Sequence, residues 1–244
     1  MSGIFLLACG ASALNQVQER KEDAKMDRTK NRPLPSGKIS VKIATLVALL
    51  LLFSGTFILS CGYYWISVVL GILNILWYNG FYTGLKKRTA FAVIPGALSG
   101  AIPVFMGWTA GGGNISDSKA ILLAFFLFMW QIPHFWLLMM KYEGEYRNAG
   151  FPVMTDIFNL DQFRNIIVAW MIGASGTSLL LGLSGFFPDF LSAYIIMVFN
   201  ILILVFFFEE FYFRKKMKYR LMAIAMNLFL LVVLAMIVAE KFNV

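Results

Sequence analysis

IATLVALLLLFSGTFILSCGYYWISVVLGILNILWYNGFYTGL, residues 43–85, runs for 43 residues without an Asp, Glu, Lys or Arg. A helix needs about 20 apolar residues to cross the hydrocarbon of a bilayer, so this run is long enough for two. Cys61-Gly62, near its middle, predicts a tight turn between them. In hydrocarbon every backbone group must be paired internally, and the run shows no period-2 alternation, so helices are expected rather than a β-barrel. Six more windows free of charged residues, 1–18, 89–116, 120–140, 165–188, 190–208 and 221–239, bring the expected segments to eight.

Composition agrees with that reading. Of 244 residues 59% are hydrophobic and 14% charged, with mean hydropathy +0.74, whereas a soluble domain carries about a quarter charged residues. A water-soluble globule, a disordered chain and a secreted disulfide scaffold are excluded. The expected fold is an all-α polytopic membrane protein with one domain over residues 1–244. Cys9 and Cys61 both lie in apolar stretches and read as small buried hydrophobes rather than a disulfide or metal pair.

The net charge of +8 invites a nucleic-acid reading. Placement of the charges removes it. If the segments alternate in direction, the regions 20–42, 86–88, 141–164 and 214–220 share one side and hold 19 of the 21 basic residues, leaving Lys119 and Lys241 opposite. Basic loops stay in the cytoplasm, so this asymmetry orients the chain and accounts for the basic clusters without nucleic acid. The first window lacks the basic start of a signal peptide and reads as a helix entered partway along.

Charged side chains at helix ends are where a membrane bundle does chemistry. Asn15, Glu19 and Asp23 are spaced four apart, which on a helix puts them on one face, each about 6 Å beyond the last. One amide and two carboxylates in a stripe form a hard oxygen set of the kind Mg²⁺ accepts, and Mg²⁺ is commonly completed by substrate phosphates. Lys25, Arg28, Lys30, Arg32 and Lys38 follow closely, and guanidinium groups grip phosphate oxygens in bidentate fashion. The same spacing also fits a solvated, mixed-charge helix end running into a basic loop. Pro33-Leu34-Pro35 stops the helix and stiffens what comes next.

A second group of polar residues is divided between two edges. Tyr82-Thr83-Gly84-Leu85-Lys86-Lys87-Arg88 is a short basic turn for which positive-inside anchoring is an adequate account. Further on, Lys141 and Glu145 are four apart and would share a helix face, where a surface ion pair is the plain reading. His134, the sole histidine, follows Pro133 inside an apolar helix, either as a packing residue or as a ligand or proton-transfer group. Pro133, Pro95 and Pro103 are expected to kink their helices, and Gly96, Gly100 and Gly107 leave room between neighbours or allow close packing.

Three strings together, NQVQERKEDAKMDRTKNRPLPSG at 15–37, YTGLKKRTAFAVIPGALSGAIPVFMGW at 82–108 and WQIPHFWLLMMKYEGEYRNAGFPVM at 130–154, resemble the protoheme IX farnesyltransferases (haem O synthases) in order and spacing. These belong to the UbiA-type intramembrane prenyltransferases. The resemblance implies a bundle of nine helices around a cavity open to the membrane. Eight windows against nine helices give the expectation of an N-terminally truncated chain. It also implies a Mg²⁺ and diphosphate site on Asn15, Glu19 and Asp23, with Glu19 standing where Asp is commoner. Arg28, Arg32, Lys86 and Arg88 would contact phosphate, with Tyr82 and Tyr146 beside the substrate. Lys141 and Glu145 fall where other members carry a second aspartate pair, and a lysine there departs from that pattern.

From the same resemblance come farnesyl diphosphate as donor and haem b as acceptor, joined at a haem vinyl group to give haem O. His134 would contact the haem iron or hold the water that completes the new hydroxyl. The address implied is the bacterial plasma (inner) membrane, with the site on the cytoplasmic side and the lipid bilayer as surroundings. A quinone-precursor acceptor on the same scaffold and a non-enzymatic polytopic carrier are the rival readings.

Overall fold

The computed structural model describes residues 1–62, 64–187, 190–214 and 217–242. The helices are α1 (Ser2–Gln18), α2 (Arg20–Asp23), α3 (Val41–Cys61), α4 (Trp65–Ile75), α5 (Thr83–Leu85), α6 (Val93–Ala110), α7 (Ser118–Lys141), α8 (Glu143–Ala149), α9 (Leu160–Leu181), α10 (Phe190–Tyr212) and α11 (Tyr219–Phe242). A π-helical stretch, Leu76–Tyr82, joins α4 to α5, and a second, Gly182–Phe186, continues α9. Among the described residues seven helices are long and apolar enough to cross a membrane. The long run divides where expected, α3 ending at Cys61 with Gly62 as its cap. The first window forms α1, whose 17 residues make it shorter than the seven spans.

The chain divides into two compact units, residues 1–115 with 142–154, and residues 116–141 with 155–244. In the first, α1 lies against α3 backbone to backbone. A Cβ on Gly55 would stand 2.7 Å from the Gly3 carbonyl oxygen and 2.9 Å from the Leu7 nitrogen. A Cβ on Gly10 would meet the Leu52 nitrogen at 2.9 Å. Lipid tails are as apolar as any side chain, so helices in a bilayer associate by such close small-residue packing. Leu7, Leu59, Val68 and Met106 form the adjoining core. The opposite face of α3 exposes Leu46, Leu49, Leu50, Phe53 and Phe57, a lipid-facing surface.

Polar side chains in this unit repair backbone that the sequence breaks. Pro103, inside α6, has no N–H to give the Ser99 carbonyl, and Asn74 Nδ2 donates to that oxygen at 3.1 Å. Ser67 Oγ donates to the Met106 carbonyl at 2.8 Å. Pro95 falls in the first turn of α6, where a missing N–H matters little.

In the second unit α7 packs against α9 and α11, and α10 against α9. Trp136 sits edge-on to Phe163 and to Trp170, and Trp130 Nε1 donates to the Met226 carbonyl at 2.7 Å. Asn200 Nδ2 donates to Ser178 Oγ at 2.7 Å, tying α10 to α9. Asn159 and Gln162 close a capping box at the start of α9.

Candidate active site

The polar stripe of the motif helix forms, with one adjustment. α1 ends at Gln18, Glu19 takes φ −102° and ψ 12°, and α2 resumes at Arg20. The four-residue register survives this irregularity, because the Glu19 amide donates to the Asn15 carbonyl at 2.9 Å and the Asp23 amide to the Glu19 carbonyl at 2.8 Å. Glu19 and Asp23 are each only 5% exposed, so the stripe faces protein and not lipid. A solvated helix end does not bury its carboxylates.

Each buried carboxylate holds a cation. Lys86 Nζ meets both oxygens of Glu19, at 3.0 and 2.8 Å, and lies 4.9 Å from the Phe151 ring centre. Arg32 Nη1 donates to Asp23 Oδ2 at 2.9 Å. Beside them Lys87 pairs with Glu22 at 2.7 Å. Burial pushes the Glu22 carboxyl up, but the Lys87 hydrogen bond and charge outweigh it and hold the group below its ordinary value of 4.5. Buried carboxylates require such partners, since an unpaired ion in low dielectric costs several kcal/mol. The basic turn after α5 therefore does more than anchor the chain.

Arg28 is fixed from the other side. Its amide donates to Glu145 Oε2 at 3.1 Å, and its guanidinium carbon lies 5.1 Å from the Tyr142 ring centre and 6.0 Å from that of Tyr146. Met26 is buried with Ala149 and Phe151. Thr29 Oγ1 donates to the Asp23 carbonyl at 2.8 Å, ordering the chain after α2. Tyr82 stacks on Tyr78 with ring centres 5.6 Å apart, and its ring occupies the space a Cβ on Gly96 would fill. Arg88 is exposed and makes no ion pair among the described residues.

One expectation is corrected. Lys141 and Glu145 do not share one helix face. α7 stops at Lys141, Tyr142 leaves helical geometry at φ −115° and ψ 25°, and Glu145 belongs to α8, where its carboxylate serves Arg28. The eight expected segments are the seven spans together with the shorter α1. His134, in the second unit, stacks on Trp130 with ring centres 4.8 Å apart, and its Nδ1 is buried without a hydrogen-bond partner among the described residues.

A further set of polar residues went unremarked at the level of sequence. Asn79, 5% exposed in the π-helical stretch, gives Nδ2 to the Ala11 carbonyl at 3.0 Å and to Gln18 Oε1 at 3.1 Å. Gln18 Nε2 returns a bond to the Asn79 carbonyl at 2.8 Å. Asn15 Nδ2 donates to Thr83 Oγ1 at 3.0 Å. The available signal was Asn74 and Asn79 standing alone in an apolar span.

Among the described residues no cluster of three or more His, Cys, Asp or Glu can hold a metal alone. The donor set still fits Mg²⁺, which takes one or two carboxylates and completes its shell with water and substrate phosphate. Glu19 and Asp23 supply the carboxylates, and Asn15 Oδ1 makes no hydrogen bond among the described residues.

Seven of the described helices are long and apolar enough to cross a membrane, and carboxylates and cations interleave at one helix end of the first unit. The chain matches the UbiA prenyltransferase family over residues 1–238 and belongs to that family. It is 44% identical over 155 residues to a protoheme IX farnesyltransferase of Geobacter sulfurreducens, covering 64% of this chain and 57% of that protein. The corresponding protein of Oleidesulfovibrio alaskensis is 40% identical over 152 residues, 62% of this chain and 54% of its own. Protoheme IX farnesyltransferase 2 of Pseudoalteromonas atlantica is 33% identical over 204 residues, 78% and 67% respectively. The chain thus spans little more than half the length of the first relatives it matches. No solved structure shows a significant match.

Proposed function

We propose that this chain transfers the farnesyl group of farnesyl diphosphate to a vinyl group of haem b, giving haem O. The names of its relatives support the choice of substrates. One observation carries the chemistry: Glu19 and Asp23, buried on a single helical register, each hold a cation.

Lys86 and Arg32 are the groups that would pass from carboxylate to phosphate oxygen when the donor binds. Arg28, held between Tyr142 and Tyr146, and the exposed Arg88 add positive charge to the same rim. The chemistry that Mg²⁺ supplies, when held by Asn15, Glu19 and Asp23, is neutralisation of the diphosphate as the allylic C–O bond breaks. The diphosphate leaves with the bonding pair, and the four basic side chains stabilise it. The rings of Tyr146 and Phe151 flank Arg28 and Lys86, and with Tyr82 they limit early capture of the allylic carbon by water. The vinyl carbon of the acceptor forms the new C–C bond, and a water adds to the carbon left electron-deficient, losing a proton. His134 is assigned to the acceptor, at the iron or at that water.

The rim is assigned to the cytoplasmic face of a bacterial plasma membrane, where the positive-inside rule puts its loops. Expressing the chain in a strain lacking its own haem O synthase and weighing the extracted haem tests the reading. A haem heavier by one farnesyl group and one hydroxyl is expected. Haem b alone, or a prenylated aromatic acid in its place, would overturn the acceptor.

A further inference from the structure

We infer that Thr83 is a positioning residue: the π-helical turn before it fixes the direction of the Asn15 amide. This rests on the reading of Asn15 as a cation ligand given above. In the stretch Leu76–Tyr82 the helix widens by one residue, and the Thr83 amide donates to the carbonyl of Tyr78, five residues back. Thr83 Oγ1 lies 2.9 Å from that same carbonyl oxygen. A carbonyl accepts and never donates, so the hydroxyl proton is committed to it. Thr83 is 4% exposed, and no solvent competes for that proton.

What the hydroxyl has left is a lone pair, and 3.0 Å away stands Asn15 Nδ2. An amide has one donating and one accepting end, and with Thr83 able only to accept, Asn15 must turn its NH₂ toward it. The oxygen Oδ1 is thereby directed away, without a partner among the described residues. An ordinary α-helical register would not bring the Thr83 hydroxyl onto the Tyr78 carbonyl. π-turns of this kind recur where a helix must re-aim side chains. Gln18 and Asn79, bonded reciprocally four residues before Thr83, hold the two helices in register so that the Asn15 contact is maintained.

The test uses the full chain in nanodiscs, with Mn²⁺ as a paramagnetic stand-in for Mg²⁺, titrated with farnesyl diphosphate present and read by electron paramagnetic resonance. Thr83→Val keeps the shape and removes the hydroxyl. It should weaken Mn²⁺ binding about five- to tenfold, the loss of one buried hydrogen bond. Thr83→Ser should bind within about twofold of the parent chain, since it restores the same bond. In an Asn15→Ala background Thr83→Val should change nothing further. If Thr83→Val retains parental Mn²⁺ affinity while Asn15→Ala loses it, the positioning role is wrong and the metal reading stands. An equal loss from Thr83→Val in both backgrounds assigns Thr83 to general packing and overturns the inference. Should Asn15→Ala itself bind Mn²⁺ like the parent, the metal reading fails first.

Discussion

Asp23 is held by Arg32 and takes the Thr29 hydroxyl on its carbonyl, so its side chain and backbone serve different ends. Asp23→Ala leaves the backbone bond intact and removes only the carboxylate. On the proposed function, transfer should fall by about 10²–10³ or more, the usual scale for losing one group that stabilises developing charge, while membrane insertion is unchanged. Haem O yield per inserted protein, quantified by blot, measures this, and parental yield would remove Asp23 from the site. Glu22 gives a pH prediction. Its folded pKa lies below the unfolded value of about 4.5, so the pair with Lys87 adds stability that is fully present above that value and is lost as pH falls through the folded one. Lys87→Ala should therefore lower the unfolding temperature at pH 7 and lower it progressively less on acidification below about pH 4.5. A constant difference across that range would place the effect of Lys87 elsewhere.

At the scale of elements, the stripe shows what sequence could and could not supply. Spacing of four between Asn15, Glu19 and Asp23 is a property of helix geometry, and it is kept through the irregular dihedral at Glu19 because the i to i−4 bonds persist. Which cation meets which carboxylate depends on the turn after α5 returning to α1, 67 residues away, and no local pattern encodes that. The break at Tyr142 was hidden for a similar reason: Lys141 and Glu145 have ideal spacing, and the competing attraction comes from the Arg28 amide, 117 residues distant. The π-helical stretch leaves no hydropathy signature, since inserting one residue in a turn of an apolar span alters neither its length nor its polarity appreciably. Close packing of α1 on α3 was not read from the sequence, because Gly3, Gly10 and Gly55 suggest contact without naming the partner. Gly55→Ala should test it. The new Cβ meets backbone atoms of Gly3 and Leu7, which cannot swing aside, so α1 must lift. A loss of about 1–3 kcal/mol is expected, the usual cost of overpacking, measured by thermal unfolding in detergent. Gly80→Ala, where a Cβ meets nothing within 4 Å, should be far milder.

Across the whole molecule, hydropathy read the number and limits of the long spans well because every residue of a span answers to the same solvent. The seven spans lie within two or three residues of the charge-free windows at most of their ends. Orientation follows from a sum over loops and is the broadest claim the charge pattern makes. A native reporter for it exists. Cys61 is exposed at the end of α3, at the edge away from the basic loops, while Cys9 is partly buried within α1. The unpaired carbonyls and water at a helix terminus let a charged reagent reach Cys61, whereas hydrocarbon keeps it from Cys9. In intact cells a membrane-impermeant maleimide should therefore label the parent chain at one position and fail to label Cys61→Ser. Introducing Lys38→Cys into that background should give labelling only after the membrane is permeabilised. The reverse pattern, Lys38→Cys open and Cys61 closed in intact cells, would invert the chain and move the carboxylate–cation rim to the outer face, where no cytoplasmic pool of diphosphate could reach it.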